Sequence, residues 1–311
     1  MRRDDEKVRA VAAVLVVVAM LVWWRESGCD RVLFPEVGAL SVGLLMKDKR
    51  VWRTGKIMCL CVMTLAAVVG VGTEVLVGCH GILLSSLVAF VTTGLMLVAL
   101  RTQLTPALAT ALLPTVVGIG TWDYVGYVAL MVAVVLLVQW LLEVTGQRSY
   151  RMPMVMSRAG SDEVFRFRDL GLLTLCAVPL CVAAWLSGWY YLIAPPVLVT
   201  MVEFSYGGSG FRRRAWQVLF MLLYGAGAGA AFVVICDSLG FGMGIAGVCI
   251  VAAVMFLFSV FKKSYAPAFS VALLSLLVGS EDIWIFPIQI ALGGAYVIVA
   301  SSIPTIVARR G

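Results

Sequence analysis

Residues 101–118 read RTQLTPALATALLPTVVG, and residues 262–279 read KKSYAPAFSVALLSLLVG. At an offset of 161, Pro106 falls on Pro267, Ala107 on Ala268, Ala111-Leu112-Leu113 on Ala272-Leu273-Leu274, and Gly118 on Gly279. A cation opens each copy, Arg101 in one and Lys262 in the other. Proline inside an apolar run breaks backbone hydrogen bonding, so each copy reads as a short, irregular membrane helix. A stretch of this kind occurring twice implies a duplicated membrane unit.

Working outward, the flanking segments recur as well. The first half offers apolar segments at 10–24, 32–46, 57–78, 81–100, 104–120 and 124–143; the second offers 170–187, 190–206, 215–236, 241–261, 265–279 and 283–305. Ala194-Pro195-Pro196 stands where Phe34-Pro35-Glu36 stands in the first half, at an offset of 160. A basic loop at 47–56 is matched by the basic turn at 211–214. The expected fold is an all-α polytopic membrane protein made of two parallel repeats of about six helical segments each, with short broken segments in each half. The expected division is a first repeat over 1–144, a cytoplasmic linker over 145–169, and a second repeat over 170–311.

Composition excludes a water-soluble domain. The 311 residues are 62% hydrophobic and 13% charged, with a mean hydropathy of +1.01; soluble chains carry about a quarter charged residues. Recurrent apolar runs of ~20 residues are the polytopic signature. The net charge of +7 is accounted for by loops that Lys and Arg hold on the cytoplasmic side, so nucleic acid is not an expected partner. If every segment crosses, only Arg25 and Arg31 of the 24 Lys and Arg fall on the outer side. That places both termini in the cytoplasm and the protein in the inner membrane. The run at 10–24 ends in Trp23-Trp24-Arg25-Glu26 without a small-residue cleavage site, and so reads as a retained first span. An even number of crossings per half makes the halves run in the same sense, related by an axis along the membrane normal.

Few residues could carry chemistry. Glu36 follows Pro35 near an outer end; a carboxylate in hydrocarbon marks a pathway or relay, and equally an acid in a first helical turn is favoured by the dipole. Glu203 lies near an inner end, where a bond to Arg212–Arg214 or a relay role would explain it. Pro106, Pro114 and Pro267 free carbonyls that only protein or a wet cavity can meet. Broken helices at matching places point to a binding site, which Thr105, Thr110, Ser264 and Ser270 would line; the competing reading is a packing kink with the Thr bonded to its own backbone. Arg101, Lys262 and Lys263 sit at the inner mouths, where they would attract an anion or simply orient the helices. Gly70 and Gly72, with Gly225, Gly227 and Gly229, would let helices approach closely at the junction of the repeats. His80 falls at an outer helix end. Eight cysteines lie mostly in apolar runs; Cys29, Cys79 and Cys236 fall near outer ends, where a disulfide is the alternative to free thiols. No nucleotide loop, nucleophile elbow or metal-binding helix is present, so the expectation is no catalytic residue, no metal and no cofactor.

Arg101-Thr102, Pro106-Ala107 and Ala109-Thr110-Ala111-Leu112-Leu113 resemble the Arg-Thr-x-His-Pro-Pro-Ala-Gly-Ala-Thr-Ala-Leu-Leu pattern of the HPP family of integral membrane proteins. Leu104-Thr105-Pro106 stands in place of the naming His-Pro-Pro, and the second copy has Tyr265-Ala266-Pro267. More distantly, the order of basic loop and glycine-rich span resembles the fusaric acid resistance and aromatic acid exporter group. Some HPP-like proteins are implicated in nitrite transport. The resemblance implies one family unit per half, with the Pro106 and Pro267 segments flanking a central pathway. The functional expectation is a transporter or permease for a small solute, with a small anion as the guess, acting between the repeats. The alternative is a non-transporting membrane scaffold or partner-binding protein. Lipid is the surrounding partner, and a homo-oligomer is a further expectation.

Overall fold

The computed structural model describes residues 3–47, 51–52, 54–148, 166–205 and 214–301. Most of the expected linker, Arg212 and Arg213 of the basic turn, and Arg309 and Arg310 lie outside the described residues. The protein is an all-α polytopic membrane protein. Its helices are α1 (Arg3–Ser27), α2 (Glu36–Ser41, continued by a π-helical turn Val42–Met46), α3 (Lys56–Val77), α4 (Ile82–Ala99), α5 (Pro106–Val117), α6 (Asp123–Val144), α7 (Phe167–Ser187), α8 (Pro195–Ser205), α9 (Ala215–Ser238), α10 (Met243–Phe261), α11 (Ala266–Leu274) and α12 (Phe286–Ala300). Among the described residues, α1, α3, α4, α6, α7, α9 and α10 are long and apolar enough to cross a bilayer.

The five remaining helices are short, and proline sets each of their starts. Pro106 and Pro195 are the first residues of α5 and α8, Pro267 and Pro287 lie in the first turns of α11 and α12, and Pro35 precedes α2. Proline suits a first turn because its missing N–H would go unpaired there anyway. The 12 residues of α5 rise about 18 Å, against a hydrocarbon core of ~30 Å. Lipid cannot satisfy the ends of such helices, so α2, α5, α8 and α11 belong inside protein, whereas α12 exposes Ile288, Leu292 and Val299. All of α2 and α11, and nearly all of α5 and α8, is buried. The long helices surround them and turn apolar faces outward, with Leu15, Leu76, Leu137, Trp185 and Phe256 exposed.

Matched helices pack on matched partners. α3 packs on α5 and α6, and α9 on α11 and α12. Contacts between the halves are reciprocal: α1 lies against α10 and α7 against α4, while α2 meets α11 and α8 meets α5. The corners after α4 and α10 coincide in detail. Arg101 and Lys262 both take a left-handed conformation, φ 49° and 50°. The next amide in each case, Thr102 or Lys263, reaches back to Leu97 or Phe258, the long bond of a Schellman cap.

Direction follows from the ends. Thr105, before α5, bonds Glu203, near the end of α8; Tyr265, before α11, bonds Thr200 of α8; and Lys47, after the π-helical turn, acts electrostatically on Glu203. The C-terminal ends of α2 and α8 and the N-terminal ends of α5 and α11 therefore share one end of the molecule, the basic end. The buried pair Lys56 Nζ–Glu143 Oε2 at 2.6 Å ties α3 to α6, with Gln139 Nε2 donating to the other carboxylate oxygen at 2.8 Å. An exposed pair, Arg31–Asp123, lies at the opposite end.

One expectation changes. The glycines of α3 and α9 were assigned to the junction of the halves, but Gly70, Gly225 and Gly229 receive the short helix of their own half, and a Cβ on Gly72 or Gly227 would meet nothing closer than 3.9 Å. A Cβ on Gly70 would stand 2.5 Å from the Ala111 carbonyl oxygen, and one on Gly229 would stand 2.8 Å from that of Ala272. The reason is geometric, since a helix buried on all sides needs a neighbour without side chains to approach closely. The eight cysteines are free thiols, including Cys29, Cys79 and Cys236.

Candidate functional site

Four of the short helices, α2, α5, α8 and α11, two from each half, meet around a cavity of about 10 Å³, close to the least space that holds a water molecule. Its lining repeats across the halves. Glu36 and Ala39 of α2 face it as Pro196 and Val199 of α8 do, at an offset of 160, and Pro106 and Ala109 of α5 as Pro267 and Ser270 of α11 do, at an offset of 161. Ala266, Trp52 and Glu203 complete it.

Glu36 is 1% exposed, and its carboxylate oxygens have no hydrogen-bond partner on another residue. It enters the cavity from the first turn of α2. The chain ahead of that turn is pinned: Ser270 Oγ donates to the Pro35 carbonyl at 3.1 Å, and the Phe34 ring packs edge-on against Tyr124. An isolated ionised carboxylate in such a place costs several kcal/mol.

Glu203 sits in a denser network. Trp52 Nε1 donates to Thr105 Oγ1 at 3.1 Å, and Thr105 Oγ1 donates to Glu203 Oε1 at 3.2 Å. Tyr265 also bonds Glu203, and its hydroxyl reaches Thr200 Oγ1 at 3.0 Å; Thr200 in turn donates to the Pro196 carbonyl at 2.8 Å. Lys47 lies outside the spans. Burial draws its pKa below the ordinary lysine value, opposed by the charge of Glu203. Glu203 is thus engaged by Lys47 and Thr105 of the first half; Arg212 and Arg213, expected as its partners in the basic turn, lie outside the described residues. The Trp52 ring occupies the space that a Cβ on Gly43 would need and lines the basic end of the cavity.

Of the residues expected from sequence, Glu36, Pro106, Pro267 and Ser270 line the cavity, and Thr105 bonds a lining residue. Thr110 does not line it: its hydroxyl donates to the Pro106 carbonyl of its own helix at 3.0 Å. Arg101 and Lys262 are exposed at the basic end and do not line the cavity; their left-handed backbones form the corners into α5 and α11. Trp52, Tyr124, Thr200 and Tyr265 were missed. Tyr265 belongs to the Tyr265-Ala266-Pro267 triplet, and Pro196 had the offset of 160 to betray it; Trp52, inside a basic loop, had no signal. Among the described residues no three His, Cys, Asp or Glu side chains come together. No family model, no curated protein and no solved structure matches the chain.

Proposed function

We propose that the protein is a transporter or permease for a small solute, built from two tandem repeats of one sense, with its solute site in the cavity at their junction. One observation carries this reading: four short helices, two from each half, converge on a buried cavity that holds a carboxylate without a partner. Discontinuous helices in matching positions are how transporters build midplane sites, and an intramembrane acid marks a pathway. The ionisable groups of the lining are Glu36 and Glu203, which favours a cationic or proton-coupled solute over the anion suggested by Arg101 and Lys262. The cations gathered at the basic end support reading that end as the cytoplasmic one. The likeness to HPP proteins accords with this reading, and no residue is given a catalytic role in it.

Ala109→Cys and Val199→Cys, made in a background without the native cysteines, test it in sealed vesicles. Both thiols are expected to react with a membrane-impermeant maleimide added to one face or the other, since a transport site must open to water. Thiols that stay unreactive from both faces in a folded protein would leave the scaffold reading, which the small size of the cavity favours.

A further inference from the structure

Glu36 and Glu203 stand on matched helices at unmatched heights. At the offset of 160, Glu203 falls on Gly43, seven positions beyond Glu36, a separation of about 10 Å along the helix axis. Both line the same cavity. Glu36 has no hydrogen-bond partner on another residue, while Glu203 opens onto a file of hydroxyl groups formed by Thr105, Tyr265 and Thr200.

We propose that Glu36 carries a transported proton and hands it across the cavity to Glu203, which passes it toward the basic end. The proposal deepens the transport reading by naming the coupling ion. A metal cation fits poorly, because a hard cation needs about six oxygen ligands. The lining is otherwise Ala, Pro, Val, Trp52 and Ser270, and Ser270 is bonded to the Pro35 carbonyl. A proton needs only a carboxyl oxygen and a hydrogen-bonded relay. The step is an acid–base exchange: the Glu36 O–H breaks as the relay takes its proton, and an O–H forms on Glu203 as the relay gives one up.

The groups that face Glu36 are few. α5 and α11 contain no titratable side chain, and α1 has none between Arg9 and Arg25. α6 presents Tyr124, which lies within electrostatic reach, and Glu203 and Tyr265 lie across the cavity, with Lys47 behind them. A protonated Glu36 therefore faces no basic group of its own neighbourhood, and it keeps its proton until the cavity opens.

The test joins infrared spectroscopy to a flux assay. In purified protein at neutral pH, a carboxylic-acid C=O band is expected that Glu36→Gln removes and Glu36→Asp shifts. In proteoliposomes holding a trapped pH dye, an imposed proton gradient is expected to drive acidification in the wild type and about tenfold or more slower acidification in Glu36→Gln. A band unchanged in Glu36→Gln overturns the proton site. A band lost in that variant, with wild-type vesicles that take up no protons, supports the proton site and overturns the transport reading. Should Glu36→Gln fail to fold, the shifted band and partial flux of Glu36→Asp decide the same question.

Discussion

Pro114 has no N–H to offer the Thr110 carbonyl four residues behind it, and the Tyr124 hydroxyl reaches in from α6 to supply the missing bond at 3.1 Å. A buried carbonyl left bare costs ~1–3 kcal/mol. Tyr124→Phe is therefore expected to lower thermal stability in detergent by about that amount. Pro114→Ala, which restores the backbone donor, should remove most of the penalty when combined with Tyr124→Phe; a double-mutant cycle reads the coupling. Lys56 and Glu143 make a second residue-scale case. Lys56→Met removes a charge-assisted bond to the buried Glu143 carboxylate, which keeps its bond from Gln139, and is expected to cost ~1.5–3 kcal/mol, as chemical denaturation in detergent would show. The prolines were legible in the sequence, because their effect is local. Their remedies were not, because the spacing of Tyr124 within α6 says nothing of which carbonyl it will meet. Glu36 was legible as a suspect for the same local reason, whereas Thr105, Lys47 and Tyr265, which engage Glu203, are all far from it in the chain.

At the scale of elements, the division into long and short helices decides which glycines matter. Gly70 faces the Ala111 backbone, while a Cβ on Gly72 would come no nearer than 3.9 Å to the Trp122 side chain. Gly70→Ala is expected to lose ~1–3 kcal/mol through overpacking. Gly72→Ala should stay within ~0.5 kcal/mol of wild type. Thermal melts of the two variants side by side provide the comparison. That a glycine stripe existed could be read from its spacing. Which helix it receives depends on α5 being buried on every side, and that follows only when proline-started helices too short to span are recognised as interior elements. In hindsight, the association of proline with the start of each short helix was available from the sequence alone.

Across the whole molecule, α1 leans on α10 and α7 on α4, so neither half closes its own surface. Leu21 of α1 fills the space over Gly247, and Leu170 of α7 the space over Gly94. Fragments 1–148 and 166–311, expressed separately, are expected to be degraded. Co-expressed, they should purify as one complex, and pulse-chase lifetimes would measure both outcomes. The recurrence at offsets of 160 and 161 led from the sequence to the short proline-bearing helices that line the cavity. The exchange of first helices was not legible, because apolar helices bound by lipid look alike whichever neighbour they choose.

The corners at Arg101 and Lys262 hold a further consequence. An L-residue in the left-handed region costs ~1–2 kcal/mol relative to the ordinary helical one, and glycine would remove that cost. Keeping a cation there serves the nascent chain, because positive flanks retain a loop on the near side of the translocation channel. Arg101→Gly with Lys262→Gly should therefore melt higher once folded, yet glycosylation tags should reveal a share of newly made copies threaded upside down.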